Sequence, residues 1–149
     1  QITYIGVERP CDDPLAKSFT LSFPGHHNRR CVEKPDTRVD CNIANGDANA
    51  QKFVFSTESK GWYHLQGGRH GKYCSDEPNG VVCNRGGPGG WEKFRLDMVG
   101  NDYRLIGGRD RRYCLDAGEL RCQSDNPDGA YERVRLKCTA VAKSPPPPP

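Results

Sequence analysis

The sequence is poor in what usually fills a protein core: Leu, Ile, Val and Phe together hold only 26 of its 149 positions, and there is a single methionine. In a chain of high net charge such scarcity would signal disorder. Here 22 basic residues face 19 acidic ones and the net charge is only +3. No run approaches the roughly 18 apolar residues that a membrane helix needs, so membrane insertion is not expected. No basic stripe of the kind that grips phosphates is present either. The densest cluster, Arg109-Asp110-Arg111-Arg112, carries its own acid and reads as a solvated turn, which argues against nucleic acid as a partner. The chain also lacks an Asn-x-Ser/Thr acceptor, so N-glycans are not expected. Cys-x-x-Cys is absent, and only the His26-His27 pair could assist a zinc ion, so neither a metal nor another cofactor is expected. His26, His27, His64 and His70 have no motif partners, the carboxylates are scattered, and no nucleophile with its base can be assembled. The chain is therefore expected not to be an enzyme.

Eight cysteines offset the thin core, because cross-links restrict the unfolded chain and stand in for apolar burial. They imply an oxidising compartment. The sequence starts at Gln1 without a methionine or a charged-then-apolar leader, as a mature secreted product would. The expected localisation is extracellular, in a cell wall, a matrix or at a cell surface. The length suits one domain, read as residues 1–142, with a proline-rich tail at 143–149.

An internal repeat organises that domain. Tyr63-His64-Leu65-Gln66-Gly67-Gly68-Arg69 returns as Tyr103-Arg104-Leu105-Ile106-Gly107-Gly108-Arg109, and Lys72-Tyr73-Cys74-Ser75-Asp76 returns as Arg112-Tyr113-Cys114-Leu115-Asp116. Glu92-Lys93-Phe94-Arg95-Leu96 returns as Glu132-Arg133-Val134-Arg135-Leu136, again 40 positions on. A more diverged copy runs through Leu21, Cys31-Val32-Glu33, Cys41 and Gln51-Lys52-Phe53-Val54-Phe55. The copies span about 15–58, 59–99 and 100–139. Apolar residues alternate with polar ones in Phe19-Thr20-Leu21-Ser22-Phe23 and Phe94-Arg95-Leu96, the period of half-buried strands. Gly and Pro clusters such as Glu77-Pro78-Asn79-Gly80 punctuate them. About four strands per copy, closed on a pseudo-threefold axis, make an all-β domain.

These residues resemble a β-trefoil. The stretch from Gly71-Lys72-Tyr73-Cys74 through Val81-Val82-Cys83 to Trp91-Glu92-Lys93-Phe94 resembles the fascin-type repeat. Cys114-Leu115-Asp116 with Cys122 and Tyr131-Glu132-Arg133-Val134 resembles a ricin B-chain-type lectin repeat. The lectin resemblance implies an acid two residues after the first repeat cysteine that holds sugar hydroxyls, here Glu33, Asp76 and Asp116. It further implies a Gln-x-aromatic element, kept as Gln51-Lys52-Phe53 in the first copy and replaced by Glu92 and Glu132 in the others. Val39, Val81 and Leu120 stand where that family sets an aromatic residue before its second cysteine. Rings at Tyr73 and Tyr113, immediately before the cysteine, complete a candidate carbohydrate-binding set, with Trp62, Trp91 and Tyr131 as further surface candidates. The other reading of the three acids is structural: each caps a turn between adjacent strands through backbone N–H groups.

The repeat also proposes a cysteine pairing. Cys31 with Cys41, Cys74 with Cys83, and Cys114 with Cys122 recur in register across a turn. That leaves Cys11 and Cys138, which would join the first strand of a closed trefoil to the last. In the tail, Ser144 precedes Pro145, Pro146, Pro147, Pro148 and Pro149, a run expected to extend as polyproline II. It resembles the repeated unit of extensins and other hydroxyproline-rich glycoproteins, which implies hydroxylation of the prolines and O-glycosylation.

The expected function is an extracellular binding or assembly module, with glycans or extracellular-matrix polymers as partners and sugar binding as its chemistry. Self-association into a structural matrix or filament subunit is the alternative. A protein-binding trefoil such as a protease inhibitor, presenting the 84–90 loop, is a third reading.

Overall fold

The structure, a computed structural model, describes residues 8–10, 18–43, 50–59 and 61–139. Each copy of the repeat supplies four strands. The first gives β2 (Phe19–Ser22), β3 (Val32–Glu33), β4 (Val39–Asp40) and β5 (Phe53–Ser59), preceded by a short β1 (Glu8–Pro10). The second gives β6 (Trp62–Gly67), β7 (Tyr73–Glu77), β8 (Gly80–Arg85) and β9 (Lys93–Val99). The third gives β10 (Asp102–Gly107), β11 (Tyr113–Ala117), β12 (Glu119–Ser124) and β13 (Arg133–Thr139), the last entered through a 3-10 turn at Ala130–Glu132.

The antiparallel pairings β2 with β5, β5 with β6, β6 with β9, β9 with β10, β10 with β13 and β13 with β2 close a six-stranded ring. Closure leaves the ring no free edge. The hairpins β3–β4, β7–β8 and β11–β12 cap one end. This is a β-trefoil. Its pseudo-symmetry is visible in the register: Tyr63 faces Phe94, Tyr103 faces Val134, and Phe19 faces Phe53.

Alternation along each ring strand sends one face inward. Phe19, Leu21, Phe53, Leu65, Phe94, Leu105 and Val134 are fully buried, and Phe19 stacks on Phe55 with centroids 4.6 Å apart. Val39, Val81 and Leu120, which replace the lectin-family aromatics, are buried in the same core. Small aliphatics fit where the three cap hairpins come together, with Asp40 facing Glu119 and Arg38 facing Val82.

Three bridges, Cys31–Cys41, Cys74–Cys83 and Cys114–Cys122, each staple one cap hairpin. No free cysteine occurs among the described residues. Cys138 is disulfide-bonded, whereas Cys11, and with it the Cys11–Cys138 pairing, lies outside the described residues. So do Ser144 and Pro145 to Pro149. β13 does lie between β1 and β2, so the first and last strands are neighbours. No described helix is long and apolar enough to cross a membrane.

Candidate functional site

The three repeat acids sit on strands, not on turns as the sequence suggested. Glu33 ends β3, Asp76 lies in β7 and Asp116 in β11, and they are 0%, 0% and 1% exposed. Each carboxylate points into the hairpin turn of the next copy. Glu33 Oε1 accepts the backbone N–H groups of Arg69 (3.1 Å) and His70 (3.4 Å), and its Oε2 meets the His70 ring at Nδ1. Asp76 Oδ2 accepts the Arg109 N–H at 3.1 Å. Asp116 Oδ2 takes the His27 N–H (3.3 Å) and the His27 ring Nδ1 (2.9 Å), while its Oδ1 caps Gly118 N–H at 2.9 Å. Because copy three reaches back to copy one, the clasps run round the whole pseudo-threefold axis.

The turns are shaped to receive them. Gly71 N–H closes on Gly67 O and Arg111 N–H on Gly107 O, whereas in the first copy Asn28 N–H closes on Phe23 O, one residue wider. Asn28, Gly71 and Arg111 all take positive φ at that point. Burial pushes the Asp76 carboxyl up to about 6, against the opposite pull of the Arg109 N–H and guanidinium. The Arg109 cluster is thus more than a solvated turn: its backbone holds the previous copy and its side chain is only 18% exposed.

His26, His27 and Asp116 bring one donor atom each within 4.8 Å of one another, the spacing of a metal cluster. Both ring Nδ1 atoms, however, are engaged with Asp116, His27 at Oδ2 and His26 at the backbone O (2.8 Å). The arrangement is accounted for as a hydrogen-bonded latch, with the His70–Glu33 contact as its first-copy counterpart.

With the acids facing inward, a sugar could not reach Glu33, Asp76 or Asp116 unless a turn first lifted away. Gln51 Oε1 accepts a bond from Arg30 at 3.1 Å. Tyr73 is half-buried edge-on against His64, and Tyr113 is half-buried opposite Ile106. The expected residues are therefore spread over three clasps and not gathered in one pocket.

What stands outside each clasp differs between copies. Trp91 is 45% exposed beside the Arg109 guanidinium, which lies 5.8 Å from its ring. Tyr131, 40 positions on, is 47% exposed and stacks on the His26 ring at 4.0 Å with an 11° tilt. The first copy carries buried Ala50 there, before Gln51-Lys52-Phe53. Backbone geometry confirms the equivalence, since Trp91 O accepts the Asp76 N–H and Ala50 O the Glu33 N–H. Trp62, half-buried, lies under Lys93 at 5.1 Å and Arg111 at 5.9 Å. The cations beside these rings did not emerge as site residues from sequence; the repeated Gly-Gly-Arg was the available signal.

No protein-family model and no curated protein matches the sequence. Among solved structures the chain is similar to ThreeFoil, a designed threefold-symmetric protein, at a TM-score of 0.68 and 15% identity over 83% of this chain and 98% of that one. It is also similar to the lectin of Polyporus squamosus, crystallised with the epitope Neu5Acα2-6Galβ1-4GlcNAc, at a TM-score of 0.68 and 8% identity over 80% of this chain. The match spans 48% of that lectin's length. At these identities the likeness is one of fold.

Proposed function

We propose that the chain is an extracellular, non-enzymatic carbohydrate-binding domain that meets sugar through the outward rings of Trp91 and Tyr131. The observation that carries this reading is the placement of two exposed rings at equivalent repeat positions, one beside the Arg109 guanidinium and the other stacked on the His26 ring. The apolar face of a sugar packs on an aromatic ring, and an adjacent guanidinium or imidazole donates to its hydroxyls. Asp76 and Asp116 serve the site from beneath by fixing the turns that carry Arg109 and His26. The fold shared with a glycan-bound lectin supports glycans as the general kind of partner. Three disulfides support an oxidising, extracellular setting.

The tail from Ser144 to Pro149 is then a stiff stalk, hydroxylated and O-glycosylated, that tethers the head to matrix polymers. Mass spectrometry of native material should find the added mass confined to that tail, and unmodified prolines would reduce it to a plain linker. Self-association remains the second reading, with Val54 and Met98 exposed on the ring strands as its support, at 39% and 73%.

The test is a glycan array on the full chain, with light scattering of the same sample. Glycan capture that weakens in Trp91→Ala and Tyr131→Ala is the expected result. Assembly without capture of any glycan would replace this reading with the structural one.

A further inference from the structure

A cleft opens in the third copy. It lies on the outer face of β10 and β13, between the Pro24-Gly25 turn and Gly129-Ala130, and has a volume of about 430 Å³, within the range of about 300–1,000 Å³ usual for small-molecule sites. Three arginines, Arg104, Arg133 and Arg135, line it together with two acids, Asp102 and Asp128. Arg135 is neutralised, forking onto Asp102 at 2.9 and 3.3 Å. The other two are not. Arg104 is only 6% exposed, its Nη1 donates to Gly129 O at 3.0 Å, and its Nε has no partner. Among the described residues no carboxylate lies within ion-pair distance of Arg104 or Arg133.

Arg104 and Arg133 also stand directly opposite each other across the β10–β13 ladder, where like charges repel. The Arg104 guanidinium, taken out of water without a counter-charge, is costly, and the charge of exposed Arg133 opposite it adds to that cost. The same pair of positions in the second copy holds His64 opposite Lys93, and there both groups are satisfied: the His64 ring meets Glu92 O at 3.1 Å, and Lys93 lies over Trp62. The third copy thus places a buried arginine without a counter-charge where the second has a satisfied histidine.

We infer that this cleft is an oxyanion-binding site that takes the carboxylate or sulfate group of an acidic glycan, with Arg104 and Arg133 as the charged donors and the Asp102–Arg135 pair as its fixed rim. Planar guanidinium groups suit bidentate recognition of such oxyanions. Sulfate free in solution offers the same chemistry as a sulfated sugar, so the experiment must separate the two. Neither Trp91 nor Tyr131 lines the cleft, although Ala130 beside Tyr131 does, and the inference does not rest on the sugar-stacking reading.

Calorimetric titration of the full chain would use three probes: a sulfated hexasaccharide, an oligogalacturonate and inorganic sulfate. The expected result is binding of at least one acidic oligosaccharide, much tighter than inorganic sulfate, weakening as salt screens the pair. Arg133→Gln, at an exposed position, should lower that affinity about tenfold with an unchanged melting temperature. Arg104→Lys should weaken it while keeping a charge at the site. Arg95→Gln, at the second-copy position equivalent to Arg135, should leave it unaltered. Equal affinity for sulfate and both oligosaccharides would overturn the glycan as the source of the anion. No binding of any probe, or binding that survives both Arg133→Gln and Arg104→Lys, would overturn the site itself.

Discussion

Glu33 Oε1 lies where Gly67 leaves room for it: a Cβ built on that glycine would stand 2.1 Å from the oxygen. Asp76 Oδ2 has the same relation to Gly107, at 2.2 Å. The glycine of one copy and the acid of the preceding copy are therefore one device. The bare backbone lets a carboxylate approach near enough to take the turn's N–H groups, and any side chain would push it out.

A double-mutant cycle tests this coupling. Gly67→Ala should destabilise the fold by about 1–3 kcal/mol through overpacking. Glu33→Ala should cost a similar amount or more, since it strands two turn donors at about 1–3 kcal/mol each where they stay buried. In the double variant the carboxylate that clashed is gone, and the nearest remaining contact is Cys83 Cβ at 3.2 Å. Denaturant unfolding should thus show a loss smaller than the sum by about 1 kcal/mol or more. Strict additivity would mean that Gly67 is required for some reason other than Glu33.

Asp76 gives the clasp of the second copy a pH dependence of definite sign. Burial raises its carboxyl from 3.8 to about 6, so the folded chain binds that proton more tightly than the unfolded chain does. Above about pH 6 the ionised group is a burden on the fold, and the burden lifts as pH falls towards 4. Asp76→Asn keeps an acceptor for the Arg109 N–H and cannot titrate. Wild type should therefore gain stability relative to Asp76→Asn between pH 7 and pH 4, by no more than about 3 kcal/mol, the full width of the shift. A difference running the other way would show that Arg109 outweighs burial.

The closed ring and its stapled hairpins were legible because both follow from local pattern. Period-two alternation marked strands such as Phe19-Thr20-Leu21-Ser22, and cysteines recurring in register marked bridges that span one turn. The acids were legible as a triplet, and capping of a turn through backbone N–H groups is one of the two readings they carry, but the turn each one caps was not legible. Their partners are backbone N–H groups more than thirty residues away, and a backbone donor leaves no side-chain signature. Tyr73 stands beside its cysteine but is half-buried, and the more exposed ring is Trp91, which sits in the turn ahead of β9. Arg104 is legible in the repeat as the counterpart of His64. Only the cleft around it gives that difference a meaning.

The hairpin bridges should matter individually. Cys74 and Cys83 are fully buried across paired strands, so replacing both with alanine removes a cross-link as well as core contacts. The loop is short, and the chain-entropy contribution is on the order of 2–3 kcal/mol. Unfolding of the double variant should shift by at least that much, with the other bridges intact by non-reducing peptide mapping. Reshuffled bridges in that variant would show that the pairing depends on redox history and not on the repeat.

Asp116 and Tyr131 both contact the His26-His27 turn, and they should separate stability from binding. The Asp116 carboxylate accepts from His27 twice and from Gly118 once, so Asp116→Ala leaves several buried donors unsatisfied and should destabilise by about 2–4 kcal/mol. Tyr131 is 47% exposed and touches the turn through its stack on His26, so its removal opens no core cavity. Tyr131→Ala should keep the wild-type unfolding midpoint to within about 1 kcal/mol. If the ring is where sugar packs, the same change should weaken glycan affinity about tenfold or more, as truncation of an aromatic anchor does. Asp116→Asn should bind glycan nearly as well as wild type wherever it is folded, because the acid supports the turn from beneath and touches no ligand. Loss of glycan binding in a fully folded Asp116→Asn, with Tyr131→Ala unaffected, would return the site to the acids and remove the rings from it.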